Sequence, residues 1–208
     1  MDWYLWMAII GLGVCLLSCV YHFYRIISLG NPPEYARRSG HIGKAVRYSF
    51  TGAMSPKVKE SAYLHMPTYM AGIIYHIGTF LAIFIFLLSL FGIWLSGMVM
   101  YIAAGILALS ALSGFGILIK RIGKNELRSL SNPDDYISNI LVNLFQLFTA
   151  LAMIDESFIP AYFIISAILL LYFPLGKLKH AVYFFAARYH LGYFYGWRDV
   201  WPPKPIKK

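Results

Sequence analysis

Apolar runs without Lys, Arg, Asp or Glu dominate the chain: Trp3–Tyr24, Ser61–Ile119, Tyr136–Ile154 and Ser157–Gly176. Crossing a hydrocarbon layer of ~30 Å takes about 20 helical residues, so each shorter run predicts one span and the long middle run predicts two. The middle run divides at Gly92-Ile93-Trp94-Leu95-Ser96-Gly97, where glycines and an interfacial tryptophan predict a short turn. The expected fold is an all-α integral membrane five-helix bundle forming a single membrane domain over residues 1–208. Its spans are expected near 3–28, 61–92, 97–119, 136–155 and 159–180, with a cytoplasmic helical extension over 181–200 and a basic tail over 201–208.

Composition sharpens this. Of 208 residues, 59% are hydrophobic and 13% charged, with a mean hydropathy of +0.62, where a soluble domain of this size would carry far more charge. The segment Met1–Leu29 has no basic leader and is long enough to span, so it reads as the first helix rather than a signal peptide. Cys15 and Cys19 lie four apart inside it and suit close packing better than a disulfide or a metal site.

The basic residues orient the bundle. All 18 Lys and Arg fall at Arg25, in Arg37–Lys59, in Lys120–Arg128 and from Lys177 onward, which five spans place on one side. The positive-inside rule then sets the N-terminus outside and the C-terminus in the cytoplasm, as in a multi-pass protein of the cell membrane. A net charge of +9 follows from this topology, from anionic headgroups of the lipid bilayer and from an acidic partner, and needs no nucleic acid.

The candidate chemistry lies in histidines. His65 and His76 are eleven residues apart on one apolar segment, and His180 and His190 are ten apart on another. On antiparallel helices rising about 1.5 Å per residue, His76 faces His180 and His65 faces His190, the two pairs roughly 15 Å apart. Two facing imidazoles suit a six-coordinate haem b, each giving a lone pair to one axial side of the iron. Counting down from Trp94 and Pro160 puts His76 and His180 at matching depth near the cytoplasmic boundary. A second haem would take His65 and His190. The alternatives are satisfied core histidines or isolated proton relays. Lys177, Lys179 and Arg188 are candidate partners for haem propionates, or ordinary membrane-flanking cations. Gly72 and Gly78 would let a macrocycle approach the helix.

His22, at the depth of His76, is a candidate hydrogen-bond donor to a quinone or an alternative ligand. An outer quinone would instead rely on groups such as Tyr101, Asn143 and Gln146. His41 reads as a solvated loop residue.

Two segments carry a family likeness. Ile74-Tyr75-His76-Ile77-Gly78 resembles the second-helix haem motif of the respiratory nitrate reductase gamma subunit, and Tyr172-Phe173-Pro174-Leu175-Gly176-Lys177-Leu178-Lys179-His180 resembles that family's last-helix motif. The ending Tyr183–Tyr189 with Gly196–Pro203 resembles the cytochrome b subunits of heterodisulfide-reductase-like complexes, including those associated with sulfite reduction. The resemblance implies a respiratory subunit that passes electrons between a membrane quinone and a cytoplasmic iron–sulfur subunit, heterodisulfide-reductase-like or ferredoxin-like. It carries His76 and His180 over as one haem pair. Where that family ligates an outer haem, this chain has Phe86 and, nearby, Tyr162.

No catalytic nucleophile, Cys cluster or Gly-rich nucleotide loop is present, so the expected role is electron transfer within a quinone-linked oxidoreductase complex. A haem-free membrane anchor and a small proton-coupled transporter remain open alternatives.

Overall fold

The computed structural model describes residues 2–30, 33–56, 58 and 64–203. All regular structure among them is helical: α1 (Trp3–Ser28), α2 (Ile42–Phe50), α3 (Met66–Ser89), α4 (Gly97–Gly123), α5 (Asn125–Ser129), α6 (Pro133–Ile154), α7 (Ile159–Tyr172) and α8 (His180–Trp197). Helices α1, α3, α4 and α6 are each long and apolar enough to cross a membrane, and a fifth span results if α7 and α8 count as one broken crossing. Exposure is inverted relative to a soluble protein. Leu17, Phe80 and Leu112 are at least 66% exposed, whereas Ser110, Asn143, Gln146 and Thr149 are fully enclosed. Lipid solvates the first group, while the second must find partners inside the bundle. These helices are consistent with a multi-pass membrane protein.

The chain divides into two compact units, Met1–Ser18 with Pro67–Leu178 and Cys19–Met66 with Lys179–Lys208. The first contains an aromatic core. Tyr162 is fully buried, its ring 6.3 Å from Phe86 and 6.2 Å from Phe145, and its hydroxyl lies 3.3 Å from Ser89 Oγ. Tyr4 of α1 stacks on Phe163 of α7 at 5.8 Å, and lower on α1 a Cβ at Gly11 would lie 3.2 Å from the Ala167 carbonyl oxygen. The expected turn between α3 and α4 is present. Gly92 (φ +71) and Gly97 (φ +60) adopt the left-handed region that side chains disfavour.

The uninterrupted span expected over 159–180 is not formed. Helix α7 ends at Tyr172, and the chain turns through Phe173–Gly176 before α8 begins at His180. Pro174 has no N–H to continue a helix, and the amides of Leu175 and Gly176 both bond the Tyr172 carbonyl at 3.0 Å. A Cβ at Gly176 would collide with the Tyr172 ring and with Asp134 Oδ1, so only glycine passes there. The depth assigned to His180 by continuous helical rise from Pro160 therefore loses its premise. Helix α3 likewise starts at Met66, after His65, rather than at 61; residues 61–63 lie outside those described.

In the second unit α2 packs directly on α8. The small residues Ala45 and Ser49, both fully buried and four apart, lie on the face of α2 that packs on α8, where Gly192 meets Val46 and Gly196 meets Ala45. A Cβ at Gly192 would lie 2.5 Å from Val46 Cα, and one at Gly196 2.6 Å from Ala45 Cβ. Such small-xxx-small pairs let backbones approach closely and gain dispersion contacts. Ser49 Oγ bonds the Arg188 carbonyl at 2.8 Å, and the Trp197 indole N–H donates to the Ala36 carbonyl at 2.6 Å. Helix α2 lies in a stretch that sequence analysis left as a basic loop.

Replacing Gly192 or Gly196 by Val should loosen this pair by about 1–3 kcal/mol through overpacking. Tryptic cleavage at Lys44 and Arg47 should accelerate in both variants but not in Gly105→Ala, whose added methyl meets no atom within 4 Å. Unchanged protection of α2 would contradict this packing.

Candidate functional site

His76 projects from an exposed face of α3. Its Nδ1 lies 2.6 Å from the Gly72 carbonyl oxygen one turn earlier. A carbonyl only accepts, so Nδ1 must carry the proton and the Nε2 lone pair points outward. Metal-ligating histidines characteristically use the second nitrogen this way, because the bond fixes the tautomer and raises the basicity of the ligating nitrogen. Beside it run Phe80 (66% exposed), Ile83 and Leu87, also exposed, and a Cβ at Gly72 would meet nothing within 4 Å. The donor chemistry fits an axial haem ligand bordered by an apolar surface. Gly78 serves otherwise. It is buried on the opposite side of α3, where a Cβ would strike Ser110, so it borders the bundle interior and not a macrocycle at His76.

His180 is the first residue of α8 and is exposed, preceded by the short 3₁₀ turn Lys177–Lys179. His190 lies further along α8, on the side away from Gly192 and Gly196 and hence from α2, its ring edge-on to Tyr189 at 5.8 Å. His65 is exposed in the turn ahead of α3. His22, near the end of α1, is brought to Tyr183 in the first turn of α8: Nδ1 lies 3.3 Å from the tyrosine hydroxyl and the rings are 6.1 Å apart. Tyr183 entered the sequence analysis only as the start of the family-like ending, not as a site residue. Its spacing of three from His180 was the available signal.

Among the described residues, no three His, Cys, Asp or Glu side chains converge as a metal site would require. A haem iron asks the protein for only two ligands, one on each axial side.

The cations divide by what they touch. Lys177 donates to Asp135, whose side chain is 4% exposed and which also faces Arg121 at 3.5 Å. Asp135 simultaneously caps α6: its amide bonds Asn132 Oδ1 and its carboxylate accepts the Asn132 amide, both at 3.1 Å. The charge of Lys177 is thus engaged within the bundle. Asp134 accepts from the Tyr172 hydroxyl and from Ser138. Arg188 contacts Met54 Sδ and lies 5.7 Å over the Phe184 ring. Lys179 is half-buried at the residue preceding α8. Arg198 pairs with Glu34 at 2.7 Å and covers Phe194 at 3.7 Å. The Ala36 amide, together with Arg198, holds the Glu34 carboxyl below its usual range. Lys44 and Arg47 flank an open concavity of about 550 Å³ with Tyr48, Thr51 and Pro202, on the face of α2 away from α8.

Of the outer quinone candidates, Tyr101 is 65% exposed, but Asn143 and Gln146 are fully buried. Asn143 Nδ2 bonds Asn139 Oδ1 at 2.7 Å, so these amides serve helix packing and present nothing to a membrane-borne ligand. Cys15 is buried and Cys19 partly so, and no disulfide joins them.

No family model, curated protein or solved structure matches this chain.

Truncating Lys177 to Ala should destabilise the first unit by up to about 3 kcal/mol, because it strips a buried carboxylate of its nearest cation. Asp135→Asn in the same chain should recover most of the loss. Thermal unfolding in detergent of the single and double variants measures this, and additive losses would show that the pair is not coupled.

Proposed function

We propose that this chain is the haem b membrane subunit of a respiratory complex of the nitrate reductase gamma and heterodisulfide-reductase-like kind. It sits in the cell membrane with its N-terminus outside and exchanges electrons between a membrane quinone and a cytoplasmic iron–sulfur subunit. The observation that carries this reading is the His76 tautomer: an outward Nε2 lone pair set by the Gly72 carbonyl, on a helix apolar enough to span.

Bound haem supplies a one-electron couple, and bis-imidazole ligation favours electron transfer over oxygen binding. His76 and His180 would hold the iron of one haem, and His65 with His190 would hold that of a second toward the cytoplasm. Lys177, Lys179 and Arg188 are the cations near His180 in sequence that would serve its propionates, with Lys177 also bound to Asp135 and Arg188 also against Met54 and Phe184. His22, backed by the Tyr183 hydroxyl, is the group assigned to a quinone carbonyl. At the outer-haem positions of that family, Phe86 and Tyr162 instead pack against each other at 6.3 Å, which accords with haem only on the cytoplasmic side.

A proton-coupled transporter would need titratable groups along its path. Among the described residues the buried polar groups are amides and hydroxyls apart from Asp135, whose carboxylate is tied to Lys177 and Arg121.

Purified protein reduced with dithionite should show a sharp b-type α band. His76→Ala and His180→Ala should each lose that haem while still inserting in the membrane. Pyridine haemochrome stoichiometry, repeated in His65→Ala and His190→Ala, counts the second haem. A wild-type protein without the band, or full haem in both His76→Ala and His180→Ala, would sink the proposal.

A further inference from the structure

The carbonyl oxygen of Tyr75, immediately before His76, accepts from three side chains: Thr79 Oγ1 at 2.7 Å, Ser110 Oγ at 3.1 Å and Gln146 Nε2 at 3.1 Å. Ser110 of α4 reaches the Ile74 carbonyl as well, at 3.1 Å, and the Gln146 amide of α6 also donates to Thr79 Oγ1 at 2.7 Å. Both Ser110 and Gln146 are 0% exposed. Thr79 gives its hydroxyl proton to Tyr75, so its oxygen accepts from Gln146 and both amide protons are used. The amide cannot turn round, because Oε1 would then oppose a carbonyl oxygen. In its present direction Oε1 is buried without a partner. Gly78 makes the room, since a Cβ there would lie 2.1 Å from Ser110 Oγ.

A leucine would pack this seam without a stranded oxygen but without direction, so Gln146 gives the seam a fixed geometry as well as cohesion. The ring of His76 is tied to its own helix through Gly72, so ring and helix turn together. Whatever fixes the rotation of α3 at residues 74–75 therefore fixes where Nε2 points. At a radius of about 6 Å, a 20° rotation of the helix would move that nitrogen by about 2 Å, enough to break axial ligation.

We infer that Ser110 and Gln146 are positioning residues for His76: a two-helix clamp on the Tyr75 carbonyl that sets the rotation of α3 and with it the direction of the ligating nitrogen. The inference rests on His76 being a haem ligand. Neither residue touches the haem, and both act through the backbone.

The test is electron paramagnetic resonance and redox titration of the oxidised, haem-loaded protein in Ser110→Ala and Gln146→Leu. Thr149→Ala is the control. It also removes a fully buried hydroxyl, one that bonds the Phe145 carbonyl of its own helix and reaches the Tyr162 hydroxyl of α7. In both clamp variants, haem should stay bound while the low-spin signal shifts and broadens and a high-spin component grows. The control should keep the wild-type signal. If Gln146→Leu fails to accumulate, Ser110→Ala, which deletes a single oxygen atom, decides the matter. Wild-type spectra in the clamp variants, or equal changes in Thr149→Ala, overturn the inference and leave the haem assignment intact. A wild-type protein without haem overturns the functional reading and this inference with it.

Discussion

Hydrocarbon offers no partner to a stranded polar group, and the seam between α3, α4 and α6 answers that constraint from within. Gln146 spends both amide protons on α3, Tyr75 returns its hydroxyl to the Asn139 carbonyl at 3.2 Å, and Asn139 donates to the Gly114 carbonyl of α4 at 3.3 Å. Three helices are thus joined by directional bonds in a setting where apolar contacts alone would let them slide, since lipid competes equally for apolar surface. Gly78 and Gly114 are the clearances that admit Ser110, Asn143 and the Tyr75 ring.

The spanning helices were legible because their signal is length and apolarity, properties carried by every residue in the run. The turn at Gly92–Gly97 was legible because only glycine tolerates both left-handed positions. Other features carried their signal in pairs of distant residues. The break after Tyr172 was written in Pro174 and Gly176, yet an unbroken apolar run outweighed it, and the collision that makes Gly176 necessary involves Asp134 from another helix. Helix α2 was hidden for a similar reason. Its nine residues mix cations with small side chains, and their apolar stripe has meaning only against Gly192 and Gly196.

At the candidate site, the histidines were visible as residue types, while their settings were not. The bond from His76 to Gly72 is a backbone acceptor four positions back, which any residue type could furnish. Lys177 looked like a propionate partner because its charge stood in the right stretch; its tie to Asp135 depends on a loop folding back to the start of α6. Asn143 and Gln146 looked like ligand groups because polar residues in apolar runs attract that reading, and here they pay for helix cohesion. Tyr183 escaped notice as a site residue because its partner, His22, is 161 residues away.

Asp135 adds an order of events. Chain synthesis delivers Arg121 and then Asp135, but Lys177 comes 42 residues later. Until then the carboxylate has Arg121 and the amides of its own helix end, and burying it fully would leave the charge undercompensated. The chain must therefore emerge as far as Lys177, past the end of α7, before the start of α6 reaches its final charge balance. A nascent chain halted before residue 177 would hold its helices but not its final charge balance, which makes Lys177 a latch on the completed fold.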